Sequence, residues 1–165
     1  VHMPMENTGK TYGEEDFVLT TKMNNETIER RLKNALKEIP TAIGMNNHQG
    51  SKASADQSVM SNVAKVMKEK GLFFVDSRTT VETIGETTME VFGVPTARRN
   101  IFLDNEDDEE KIEKQLMKLV KRSEELGAAI GIGHVKPKTL NVLSDQIPEL
   151  QKKGYKFEFV SKMLH

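Results

Sequence analysis

Each short apolar run in this chain ends on a polar residue able to do chemistry, and most are followed by an amphipathic helix. The run at His2-Met3-Pro4-Met5 ends on Glu6, and Thr41 to Met45 leads into a polar stretch containing His48. Leu72 to Val75 ends on Asp76 with Arg78 close behind, Ile101 to Leu103 ends on Asp104, and the Gly-rich run from Ala128 to Gly133 ends on His134. Apolar strands alternating with helices predict an α/β fold with parallel strands and right-handed crossovers. In such folds the C-terminal strand ends converge on one face, where sites are built. Five or six strands are too few to close an eight-stranded barrel. The fold is therefore either an open sheet or a barrel whose first units precede Val1. The chain starts without an initiator Met, inside what reads as a strand end, so it is expected to be an N-terminally incomplete fragment comprising a single domain over 1–165.

The helices are read from their spacing and punctuation. Ile28, Leu32, Ala35 and Leu36 share one face of a first helix, with Asn24 or Asn25 as N-cap and Ile39-Pro40 as its end. A second begins near Ser54 or Asp56, buries Val59, Val63, Val66 and Met67, and stops at Gly71. A third spans Val81 to Phe92. The acidic run Glu106 to Glu110 opens a fourth, with Ile112, Leu116, Leu119 and Val120 inward and Gly127 closing it. Thr139 is expected to cap a fifth, Pro148 to start its continuation, and Lys156 to Val160 to form a last strand.

Composition narrows the function. A formal net charge of -1 gives no basic footprint for nucleic acid, and no apolar run reaches the length of a membrane span. The absence of Cys excludes disulfides and thiolate metal sites. Imidazole is then the best transition-metal ligand and general acid or base the chain has. The stretch Gly44-Met45-Asn46-Asn47-His48-Gln49-Gly50-Ser51 puts three side-chain amides, an imidazole and a hydroxyl where the chain is expected to turn. Polar groups that dense beside a buried strand are costly unless something binds there. The plainer reading is that His48 caps the next helix and that Asn46 and Asn47 shape the loop with left-handed angles.

Five segments together resemble the bacterial divergent polysaccharide deacetylase family. They are His2 to Glu6, Gly44 to Ser51, Phe73 to Thr79, Asn100 to Asn105 and Ala129 to His134, in family order and over essentially the whole chain. The resemblance implies a seven-stranded β/α barrel like that of metal-dependent carbohydrate esterases, apparently lacking its first strands here. It also implies an upstream Asp-Asp motif with no counterpart in this sequence, which would leave the metal site one ligand short.

Under that resemblance His2 and His48 are candidate ligands of a divalent metal, zinc by preference, and His134 is a third ligand or the general acid. Asp76 or Asp104 would orient an imidazole or act as base, and Arg78 would pair with Asp76, bind an anionic substrate group or stabilise an oxyanion. The ordinary alternatives are a structural Asp76–Arg78 ion pair, a turn and cap at Asp104-Asn105, and a hydrogen-bonded loop histidine at His134. The terminal His165 is expected to do nothing. The expected function is removal of acetyl groups from an amino-sugar polymer or envelope glycan, by an exported or envelope-associated bacterial protein, with any signal segment upstream of this chain. The alternative is a non-catalytic relative that binds a glycan or a protein. A phosphoester hydrolase is a third reading, weakened by the lack of a Gly-rich phosphate cradle.

Overall fold

In the computed structural model, which describes residues 1–13 and 15–165, the polar stretch around His48 is itself a strand. β2 runs from Gly44 to Gln49, where a loop was expected. It starts three residues later than the apolar run Thr41 to Met45 and extends through His48. Asn46 and Asn47 are therefore extended ladder residues. The left-handed angles fall just beyond them, at Gln49 (φ 55°) and Gly50 (φ 91°).

The chain forms two compact units. The first comprises residues 1–98 with 164 and 165. Its elements are β1 His2–Met5, α1 Asn25–Glu38, β2, α2 Gln57–Lys70, β3 Phe73–Asp76, α3 Gly85–Phe92 and β4 Thr96–Arg98. The four strands pair in the order β1-β2-β3-β4, all parallel. The expected signals start and stop its first two helices. The Asn24 side chain accepts the Thr27 N–H, Asp56 accepts the Val59 N–H, and Gly71 ends α2 at φ 65°. Successive strand residues face opposite sides. Met3, Met5, Met45 and Phe74 pack with Ile28, Leu32, Val59, Val63 and Met67 into one buried cluster. His2, Asn46 and His48 take the alternate positions, on the other face.

Two readings change in this unit. α3 begins at Gly85, four residues later than expected, because the Thr83 hydroxyl is bonded to Asp76 and Ser54 and the Ile84 N–H to the Ser54 carbonyl. β4, which the sequence did not distinguish from the following run, pairs with β3.

The second unit, residues 99–163, holds β5 Ile101–Phe102, α4 Glu109–Leu126, β6 Gly131–Ile132 and α5 Pro137–Lys152. β5 and β6 are parallel, and Leu103, Ile112, Leu116, Val142 and Leu150 form the core. Asp108 caps α4 by accepting the Lys111 N–H, and Gly127 closes it. α5 begins at Pro137, the favoured residue for a first helical turn, and runs unbroken through Pro148. Thr139 is thus inside the helix, and its hydroxyl goes to Asp104. No strand forms over 156–160: a strand needs a ladder partner, and this segment pairs with none among the described residues. Phe159 there is 82% exposed. Among the described residues no helix is long and apolar enough to cross a membrane.

Candidate functional site

The β1–β2 register explains why two histidines meet. His2 pairs with Asn46 and Pro4 with His48, which makes His48 the diagonal same-face neighbour of His2. Nε2 of His2 lies 3.0 Å from Nδ1 of His48, and the rings meet edge to face at 4.8 Å. The outer nitrogen of each ring is held: His2 Nδ1 is 2.9 Å from Asn46 Oδ1, and His48 Nε2 is 3.1 Å from Gln49 Nε2. At His2 the outer nitrogen meets an acceptor, as in histidines that ligate metals, whereas the outer nitrogen of His48 meets an amide NH2.

The buried side of β2 carries Asn47, 1% exposed. Its oxygen accepts the Ser77 N–H at 2.8 Å and its amide donates to the Gln49 carbonyl at 2.8 Å. One inward amide therefore joins the ends of β2 and β3. Glu6, at the end of β1, accepts from Lys52 (2.7 Å) and from the N–H and hydroxyl of Thr21. Burial pushes its pKa up, but these bonds outweigh that and hold it below the usual range.

Asp76 is buried and builds the turn after β3. Its Oδ1 accepts the Arg78 N–H at 2.8 Å, and its Oδ2 accepts the Thr83 hydroxyl at 2.8 Å and the Glu86 N–H at 3.3 Å. This sets a carboxylate against the N-terminus of α3, where the helix dipole favours it. Gly85 is needed for the approach, since a Cβ there would lie 2.6 Å from Asp76 Oδ2. Arg78 follows with φ 48°, a left-handed conformation unusual for a side chain of its size.

In the second unit, Asp104 and His134 follow β5 and β6 and are joined directly. Asp104 Oδ2 accepts the His134 N–H at 2.7 Å and the Thr139 hydroxyl at 3.0 Å, and Oδ1 lies 3.1 Å from His134 Nδ1. The Asp104 side chain is fully buried while that of His134 is 51% exposed. Burial alone would raise the Asp104 pKa. The His134 N–H, the His134 ring and Thr139 overcome this and hold it below the usual range. A carboxylate at Nδ1 fixes the Nδ1–H tautomer of a neutral ring and turns Nε2 outward as its reactive nitrogen. Asp104 is therefore a histidine partner; the turn-and-cap role falls instead to Asp108.

The structure thus makes two sets of the proposed residues, His2 with His48 in one unit and Asp104 with His134 in the other. It also joins three residues that sequence reasoning passed over. His165 Nε2 is 3.4 Å from carboxylate oxygens of both Glu86 and Glu90, with ligand atoms of all three within 4.8 Å of one another. The signal was faint: Glu86 and Glu90 share a face of α3 at i, i+4, but His165 reaches them only because its backbone pairs with Thr96. Arg98 already pairs with Glu86. Gln49, Asn7 and Tyr12, around the outer nitrogen of His48, were also missed, because amides and main-chain groups carry no motif.

For a divalent metal, the donor chemistry of His2 and His48 fits. Among the described residues, no third His, Cys or carboxylate joins the pair in a group close enough to share an ion.

Comparison with known proteins places this geometry in a family. The model of the divergent polysaccharide deacetylases matches residues 1–164. An uncharacterized protein of Haemophilus influenzae is 35% identical over 143 residues, 87% of this chain and 51% of its own length. The uncharacterized protein YibQ of Escherichia coli is 31% identical over 150 residues, 91% of this chain and 47% of its own. The chain therefore spans about half the length of these relatives. The crystal structure of an uncharacterized protein from Agrobacterium tumefaciens superposes with a TM-score of 0.94, covering 98% of this chain and 66% of that one at 22% identity, which shows a shared fold. With a family match along nearly its whole length, the chain belongs to the divergent polysaccharide deacetylases.

Proposed function

We propose that this chain forms part of a metal-dependent carbohydrate deacetylase that removes acetyl groups from an amino-sugar polymer or cell-envelope glycan. The observation that carries the reading is the His2–His48 pair, with facing nitrogens 3.0 Å apart. These two residues would hold a divalent ion, zinc by preference, and further ligands would come from elsewhere in the full protein. When bound, such an ion supplies a water nucleophile at neutral pH and polarises the acetyl carbonyl.

The other roles follow from the residues themselves. Asn46 orients His2, and Asp104 orients His134. His134, when protonated, holds a proton at Nε2 to give to the leaving amine or alcohol. Asp76 shapes the β3–α3 turn that carries Arg78, whose guanidinium would bind an anionic substrate group or stabilise a developing oxyanion. We further propose that the complete protein closes into the seven-stranded β/α barrel of this type. The parallel order β1-β2-β3-β4, with no reversal, supports it.

The test is acetate release from acetylated glycans by the full-length, zinc-loaded protein, with His134→Ala and His48→Ala as controls. Release by wild type and its loss in both variants is expected. The two-histidine pair without a third ligand among the described residues favours one other reading, a glycan-binding relative without activity. Glycan binding with no acetate released would establish that alternative.

A further inference from the structure

We infer that the cavity between α1 and the segment 15–18 binds an acidic sugar residue, one that carries a carboxylate among its hydroxyls. The site is separate from the His2–His48 pair and serves a deacetylase and a glycan-binding relative alike.

The spacing of α1 builds one wall. Ile28, Leu32 and Ala35 turn into the core, which leaves Arg30, Asn34 and Lys37, at i, i+4 and i+7, together on the exposed side. Arg31 lies on the flank and reaches across to the other wall. Its Nη1 donates to the carbonyls of Glu15 and Val18, the second at 2.6 Å, so main-chain acceptors fix the guanidinium in place. Phe17, partly buried and packed against the core, gives this wall an apolar surface. The open cavity between the walls has a volume of about 320 Å³, at the small end of the range for small-molecule sites.

Three cations thus converge on one cavity. A single exposed cation is ordinary, and Lys33 on the same helix is paired with Glu29 and Glu69. Among the described residues, Arg30 and Lys37 have no ion-pair or hydrogen-bond partner, although the carboxylates of Asp16 and Glu38 line the same cavity. Both signs of charge therefore face the space without neutralising each other. A bare oxyanion such as phosphate would meet the two carboxylates as like charges, and a neutral sugar would leave the cations without a counter-charge. A carboxylated sugar satisfies both sets. Its carboxylate accepts from Arg30, Arg31 and Lys37, its hydroxyls donate to Asp16 and Glu38, and the Asn34 amide both donates and accepts. The C–H face of the ring covers Phe17.

The sheet stands between this cavity and the histidine pair. α1 packs on the face that carries Met3 and Met5, whereas His2 and His48 lie on the other. The cavity is an anchoring site for a glycan and takes no part in chemistry at the histidines.

Amide 1H–15N spectra recorded while sodium glucuronate, N-acetylmuramate, glucose or inorganic phosphate is added test this. At least one of the two carboxylated sugars should give saturable shifts centred on Phe17, Asn34 and Lys37, and which one does so distinguishes a ring carboxylate from an ether-linked one. Glucose and phosphate should each bind about tenfold more weakly or worse, because each forms only one of the two sets of bonds. Arg30→Ala and Lys37→Ala, at exposed positions where the fold is kept, should each weaken the sugar about tenfold or more, the size of a lost bond to a charged group. Asp16→Ala should weaken the sugar and strengthen phosphate, whereas a plain basic patch would gain affinity for both. No saturable shift with either carboxylated sugar overturns the inference. So does glucose or phosphate bound as tightly as the sugar, sugar binding unchanged in both Arg30→Ala and Lys37→Ala, or sugar binding no weaker in Asp16→Ala. Acetate release does not enter the measurement, so failure here leaves the deacetylase reading standing.

Discussion

Replacing Asp104 by Asn keeps the shape of the side chain and removes its charge. The His134 N–H at 2.7 Å is a fixed donor, so the Asn oxygen must take the Oδ2 place and its NH2 must face His134 Nδ1 at 3.1 Å. Two charge-assisted bonds become neutral, and the third becomes a clash of donors unless the ring changes tautomer. Bonds to charged groups are worth about 1.5–3 kcal/mol against about 0.5–1.5 for neutral ones, so three such changes amount to about 3 kcal/mol. For a chain of 165 residues that lowers Tm by about 6–12 °C. The pH dependence has a definite sign. Asp104 titrates below its ordinary range in the folded protein. Its stabilisation is therefore present above the unfolded value, about 3.9, and lost as pH falls through the lower folded value. The deficit of Asp104→Asn should be full at neutral pH and close in acid, where wild type loses the same charge. Urea midpoints of both proteins over a pH series, with amides of α4 and α5 as NMR probes, measure it. No deficit at neutral pH, or one that ignores pH, refutes the reasoning.

Two other substitutions test the turns that follow β2 and β3. Gly85→Ala would normally favour a helix by up to about 1 kcal/mol, but its Cβ would sit 2.6 Å from a pinned Asp76 oxygen, so it should destabilise by about 1–3 kcal/mol in thermal unfolding. Asn47→Ala removes the acceptor for the buried Ser77 N–H and the donor to Gln49, and should cost about 2 kcal/mol, lowering Tm by about 4–8 °C.

Much of the fold was legible because its signals are local. The N-caps at Asn24 and Asp56, the glycines after α2 and α4, and the apolar faces of α1, α2 and α4 are each set by residues within a turn or two. What failed depended on distant partners. Tyr155, Phe157 and Phe159 alternate like a strand, yet a strand forms only beside a free ladder. β2 reads as a polar loop because His48 and Asn46 lie on its less buried face while Asn47 follows Met45 inward, where a bond to Ser77 replaces the apolar contact the pattern demands. For the site, residue types at strand ends were readable, the family resemblance grouped His2 with His48, and which histidine Asp104 would meet was left open. Asp104 with His134 is a contact across 30 positions and His2 with His48 one across 46, set by register.

Zinc content measured on the purified protein after equilibration with zinc and removal of excess bears most directly on the His2–His48 pair. A bound ion is expected in wild type and in His165→Ala, and its loss is expected in His48→Ala and in His2→Ala. Zinc retained in both of the latter variants, or none in wild type, would contradict the assignment of these two histidines as metal ligands.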